Sequence, residues 1–99
     1  MCDIPDFKII SSWNNDSVKF SHIFIIEFTD ANSSYHYINS VSKDYKIKKK
    51  KFVKYLKKYG NESETWIISK HRGPYNHGAA LMVGFNNKYS AIEFMLDNS

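Results

Sequence analysis

Residues 46–60 read KIKKKKFVKYLKKYG, eight lysines in fifteen positions with aromatic and aliphatic residues set between them. How this segment folds decides the architecture around it. On a helical wheel at about 100° per residue with Ile47 at zero, Phe52, Tyr55, Leu56 and Tyr59 fall between about 80° and 180°. Lys50, Lys51, Lys54, Lys57 and Lys58 fall between about 280° and 40°. The two sets do not mix, so the spacing predicts an amphipathic helix over 46–59 with an inward aromatic face and an outward lysine face. Gly60 stands where a helix end calls for left-handed backbone, with Asn61 following. Lys48 and Lys49 lie toward the apolar side and are expected in a fraying first turn.

The charge is concentrated in this element. Residues 43–58 hold nine lysines and one aspartate, net +8, whereas the whole chain is +4 and the remainder therefore net −4. Lys50 with Lys54, and Lys54 with Lys58, are like-charge pairs four residues apart, each unfavourable by about 0.2–0.5 kcal/mol at low salt. Solubility alone is served by alternating Glu and Lys, without that cost, so the face is expected to engage an anion. Residue usage supplies a second reason for the lysines. Thirteen Lys stand against one Arg, and Phe, Tyr, Ile, Asn and Lys together make up 47 of the 99 residues. Their codons are AT-rich, which points to an AT-rich genome such as that of a phage, another virus or a low-GC bacterium.

Outward from the helix, 7–13 (FKIISSW) and 18–28 (VKFSHIFIIEF) are rich in β-branched and aromatic residues and are separated by a turn-forming NND. The second run places Val18, Phe20, His22, Phe24, Ile26 and Phe28 on one face, yet Ile23 and Ile25 make the other face apolar too, as in a central strand. Residues 35–41 (YHYINSV) fit a strand or a short helix, and a strand is preferred. Strands are expected at 65–71 (TWIISKH) and 79–85 (AALMVGF). In the closing NNKYSAIEFMLDNS, Tyr89, Ile92 and Met95 or Leu96 have helical spacing, with Asn86 or Asn87 as N-cap. The expected fold is a single α+β domain over 1–99: a small antiparallel sheet of four or five strands with two helices packed on one face.

The stretch HGAALMVGFNNKYSAIEFML resembles the third strand and second helix of an RNA-recognition motif or, more generally, of a ferredoxin-like fold, and HIFIIEF resembles its first strand. The resemblance covers about twenty residues and implies topology. Where that family carries stacking aromatics on the third strand, this chain has Ala80 and Met82, and no final strand follows the last helix. No binding residue is carried over.

Function is framed by what is present and what is missing. Cys2 is the only cysteine, so there is no internal disulfide and no cysteine-rich zinc site. No signal peptide or membrane-length apolar run is seen, and the expected location is the cytoplasm, of the host if the gene is viral. No cofactor motif occurs. HRGPYNHG, residues 71–78, puts His71, Arg72 and His77 around a Gly-Pro turn; a hairpin loop explains it, and so does a phosphate contact. The binding set expected from sequence is Lys50, Lys51, Lys54, Lys57 and Lys58, extended by His71, Arg72 and His77. The partner is nucleic acid, DNA or RNA, or an acidic protein surface, with no membrane, and a homodimer is compatible with it. Two other readings stay open: a viral protein that binds and blocks a host protein, and a small phosphodiesterase or nuclease using His71 and His77 as acid and base.

Overall fold

In the computed structural model, residues 5–28, 43–71 and 80–98 are described. They form β1 (Phe7–Asn14), β2 (His22–Phe28), α1 (Lys43–Leu56) continued by a 3₁₀ turn (Lys57–Tyr59), β3 (Trp66–His71), β4 (Ala80–Phe85) and α2 (Lys88–Asp97). The segment 35–41 and most of 71–78, and with them the expectation of a strand at 35–41, lie outside the described residues. The architecture is α+β: one four-stranded antiparallel sheet, order β1-β2-β4-β3, with two helices against one face. Counted from β2, the described order is β-α-β-β-α, the ferredoxin-like run short of its closing strand. The edge beside β2 is held instead by β1, which precedes the run rather than ending it.

Alternation along the central strands sorts the side chains. Phe24, Ile26 and Phe28 of β2 and Leu81, Val83 and Phe85 of β4 point to the helical side, where they join Trp66 of β3 in one buried cluster. Ile23 and Ile25, on the opposite face, are buried as well. β2 is therefore a central strand with two apolar faces, as its composition predicts. It starts later than predicted. Residues 15–21 form a closed loop in which the Asn15 amide donates to the Ser21 carbonyl at 2.7 Å, and the Asn15 side chain accepts from the Ser17 amide and hydroxyl at 3.2 and 2.6 Å. This side-chain-driven turn removes Val18 and Phe20 from the ladder despite their alternation. Phe20 instead lies over Gly84, where an added Cβ would sit 3.0 Å from the Phe20 Cβ.

The pairing of β1 with β2 slips between Ile9 and Ser11. Such a bulge hands the following residues to the other face of the strand. Without it Trp13 would follow Phe7 and Ile9 inward; with it Trp13 pairs opposite Ile23 and stays 43% exposed.

Helix α1 buries Tyr45, Phe52, Tyr55, Leu56 and, in the 3₁₀ turn, Tyr59, the aromatic face predicted from the spacing. It begins at Lys43, a turn earlier than predicted, so Lys48 and Lys49 sit within the helix rather than in a fraying end. Gly60 ends the element at φ 136°, and a Cβ there would collide with the Thr65 side chain. Only glycine fits both the backbone and the space. The Gly60 carbonyl in turn accepts from the Trp66 indole at 2.9 Å, giving that buried ring the partner it needs.

Helix α2 departs from prediction. Its buried residues are Ala91 and Phe94, whereas Tyr89, Ile92, Met95 and Leu96 are exposed. The reason is polar. Asn87 caps the helix by accepting from the Tyr89 and Ser90 amides at 2.8 and 3.3 Å. Ser90, Asp97 and Asn98 then turn toward the end of α1: the Ser90 hydroxyl donates to the Tyr59 carbonyl at 3.2 Å, supplying one of the acceptors a helix end leaves unpaired. The face that can make those bonds is the face that packs.

Candidate nucleic-acid interface

Lysines of α1 divide into two groups by what surrounds them. Lys46, Lys49, Lys50, Lys54 and Lys57 line a shallow groove of about 560 Å³ along the helix, with Val53 as its apolar floor. Val53 packs on the core from beneath, so the floor is fixed and the lysine stems lie over it with their heads in water. Among the described residues none of these five enters an ion pair. The order 46, 49, 50, 53, 54, 57 is the three-and-four repeat of one helix face, so the grouping follows from the helix being helical and from Val53 being its centre.

Lys58 belongs elsewhere. Its ammonium lies 2.9 Å from the Asp97 carboxylate of α2. Lys51 is half-buried and engaged in contacts of its own. The predicted set Lys50, Lys51, Lys54, Lys57 and Lys58 is thus redrawn: Lys50, Lys54 and Lys57 lie together, Lys46 and Lys49 join them, and Lys58 is held by a carboxylate. Centring the wheel on Val53 rather than opposite the rings would have found Lys46 and Lys49. Nothing local announces the Asp97 pairing, because its partner is 39 residues away. His71 contributes backbone to β3, while its side chain, Arg72 and His77 lie outside the described residues.

The Lys58–Asp97 contact is one edge of a hydrogen-bond network that ties the ends of both helices. The Tyr59 hydroxyl donates to the Asp97 carboxylate at 2.7 Å, Tyr55 and Tyr59 share a hydroxyl–hydroxyl bond of 2.7 Å, and the Asn98 amide donates to the Tyr55 hydroxyl at 3.0 Å. The hydrogen bond from Tyr59, then that from Lys58, hold the Asp97 carboxyl below its ordinary value. Burial, reinforced by the bonds to Tyr55 and Asp97, pushes the Tyr59 hydroxyl well above the usual phenol range. The bond to Asp97 raises Lys58.

A group depressed in the folded state contributes stability above its unfolded value and loses it as pH falls through the folded value. Asp97 therefore supports the fold at neutral pH and ceases to below the ordinary carboxylate range. Tyr59 is raised, so its contribution is complete below the unfolded phenol value and is lost as pH climbs past it. Asp97→Asn is expected to flatten the acid side of a stability-against-pH curve, measured by urea unfolding from about pH 7 to about pH 2. An acid limb as steep as that of the unmodified chain would show that Asp97 carries none of it.

The other histidine in view is structural. His22 Nδ1 lies 3.0 Å from the Asn14 Oδ1 directly across the β1–β2 pair. No group of three His, Cys, Asp or Glu side chains that could hold a metal ion occurs among the described residues. No helix there is long and apolar enough to cross a membrane.

Fold and surface together define a small α+β domain with one cationic helix face. No family model, curated protein or solved structure matches the chain.

Proposed function

We propose that the chain is a small basic binding protein whose α1 stripe docks on nucleic-acid phosphates. The observation that carries this is the gathering of Lys46, Lys49, Lys50, Lys54 and Lys57 on one face, with none of them in an ion pair among the described residues. From Lys46 to Lys57 the helix advances roughly 16 Å, an average of about 4 Å between successive lysines. That spacing is on the same scale as the one phosphate per about 3.4 Å of rise along each strand of a duplex. Lysines are point charges without a fixed hydrogen-bond fork, so they supply affinity and leave base sequence largely unread. The residue usage favours a gene of phage or other viral origin, which fits a compact accessory binding protein.

Salt dependence tests the reading. If all five ammonium groups meet phosphates, log K against log[salt] is expected to fall with a slope of about −4.5 on duplex DNA and about −3.5 on a single strand. Fluorescence anisotropy with labelled duplex, single-stranded DNA and RNA separates these cases. Absence of binding at low salt, or a slope near zero, refutes the proposal.

A further inference from the structure

The α1 stripe offers charge without rings. Helix α1 and its 3₁₀ turn carry four aromatic side chains, Tyr45, Phe52, Tyr55 and Tyr59, and all four are buried in the core. Among the described residues the lysine groove has one lining side chain that is not a lysine, Val53, itself packed against the core. The exposed rings in view are Trp13 and Tyr89. Trp13 pairs opposite Ile23 on the sheet face away from the helices, and Tyr89 is on the outer side of α2. Neither lines the groove.

We propose that the stripe selects double-stranded nucleic acid over single strands, a preference that rests on the phosphate-binding reading of α1. Single strands are held by two features together, a cationic track for the backbone and aromatic side chains on which successive bases stack. α1 supplies the first and commits its rings to the core. A flexible strand laid along the stripe must be ordered, and no stacking offsets that loss of freedom. A duplex arrives ordered: its bases are already stacked on one another, and it bends little over lengths well below about 150 base pairs.

The stripe is matched to that stiffness. Its lysines project from α1 and the 3₁₀ turn that continues it, and the opposite face of this element is buried. Only the lysine stems are free to adjust. Charge density acts in the same direction. Duplex DNA presents one phosphate per about 1.7 Å of axis, and each one neutralised releases about 0.9 counterion, against about 0.7 on a single strand. Five contacts therefore separate the two ligands by about one power of the salt concentration, so their affinity ratio grows about tenfold for each tenfold fall in salt.

Anisotropy titrations of the full chain against a labelled DNA duplex of about 20 base pairs and an oligothymidylate of equal length, from about 20 to about 200 mM salt, are the test. The duplex is expected to bind at least about tenfold tighter at the lowest salt, with the preference shrinking as salt rises. A charge-matched pair of variants tests the cause. Lys49 lies one turn before Val53 in the same groove; Lys49→Tyr places a ring there, and Lys49→Gln removes the same charge without one. Lys49→Tyr is expected to bind the single strand about fivefold tighter than Lys49→Gln does, the low end of what one stacked base contributes, while the two bind the duplex alike. A single strand bound as tightly as the duplex at low salt overturns the proposal and leaves phosphate binding in place. So does a preference indifferent to salt, or a Lys49→Tyr chain no better on the single strand than Lys49→Gln. Binding of neither ligand at low salt refutes phosphate binding itself, and the selectivity with it.

Discussion

Reversing three charges on the α1 stripe, Lys50→Glu, Lys54→Glu and Lys57→Glu together, is expected to abolish nucleic-acid binding, a loss of at least about 100-fold at low salt. Two positive and three negative groups would then face the phosphates, so attraction becomes repulsion along the whole stripe. The reversal also lowers the chain's net charge from +4 to −2, six units for three substitutions. Long-range attraction would weaken for that reason alone. A matched control removes the ambiguity. Lys8, Lys19 and Lys70 are exposed and lie outside α1, and reversing those three gives the same net charge with the stripe intact. Anisotropy titrations of both variants against one duplex decide: a large loss in the first and a modest one in the second locates binding on the stripe. Equal losses in the two would mean that only overall charge matters.

Lys54 also separates binding from folding. It stands four residues from Lys50 within α1, so Lys54→Glu replaces that repulsion with an attraction, each worth about 0.2–0.5 kcal/mol. A substitution that weakens a partner while strengthening the fold is the mark of a face kept for binding.

The legible part of this molecule is the part specified by neighbours in sequence. Rings and lysines of α1 segregate at the helical period because each position is fixed by residues three and four away. β2 shows itself as central because Ile23 and Ile25 make its second face apolar. Asn87 as N-cap is equally local. What the sequence did not display depends on partners far along the chain. Apolar residues of α2 fall on two stripes, Ala91 with Phe94 and Tyr89 with Ile92 and Met95, and periodicity alone favours the larger. The choice is made by Ser90 and Asn98, whose bonds reach Tyr59 and Tyr55, residues 31 and 43 positions away. Lys58 leaves the cationic set for the same reason. Val18 and Phe20 alternate like strand residues, but the Asn15 side chain stabilises a loop at lower cost than extending a ladder past the end of β1.

Because the packed stripe of α2 is the smaller one, truncating it tests the fold most severely. Phe94 is 0% exposed, and its ring lies between 5.1 and 6.5 Å, centroid to centroid, from those of Phe7, Phe24, Phe52, Tyr55, Tyr59 and Phe85. Those partners come from β1, β2, α1 with its 3₁₀ turn, and β4, so one side chain joins most of the described elements. Removing a buried phenylalanine ring costs about 3–5 kcal/mol through lost transfer energy and the cavity left behind. A chain of this length has roughly 5–15 kcal/mol in total, and each kcal/mol moves the midpoint by about 4–8 °C. Phe94→Ala is therefore expected to lower Tm by more than about 12 °C, or to abolish a cooperative transition. Tyr89→Ala, five residues earlier and 79% exposed, is expected to change stability by no more than about 0.5 kcal/mol. If the two substitutions cost the same, or Tyr89→Ala the more, then α2 packs through the stripe that periodicity favours. The network linking Ser90, Asp97 and Asn98 to the end of α1 would then have to be abandoned with it, because one rotation of the helix sets both.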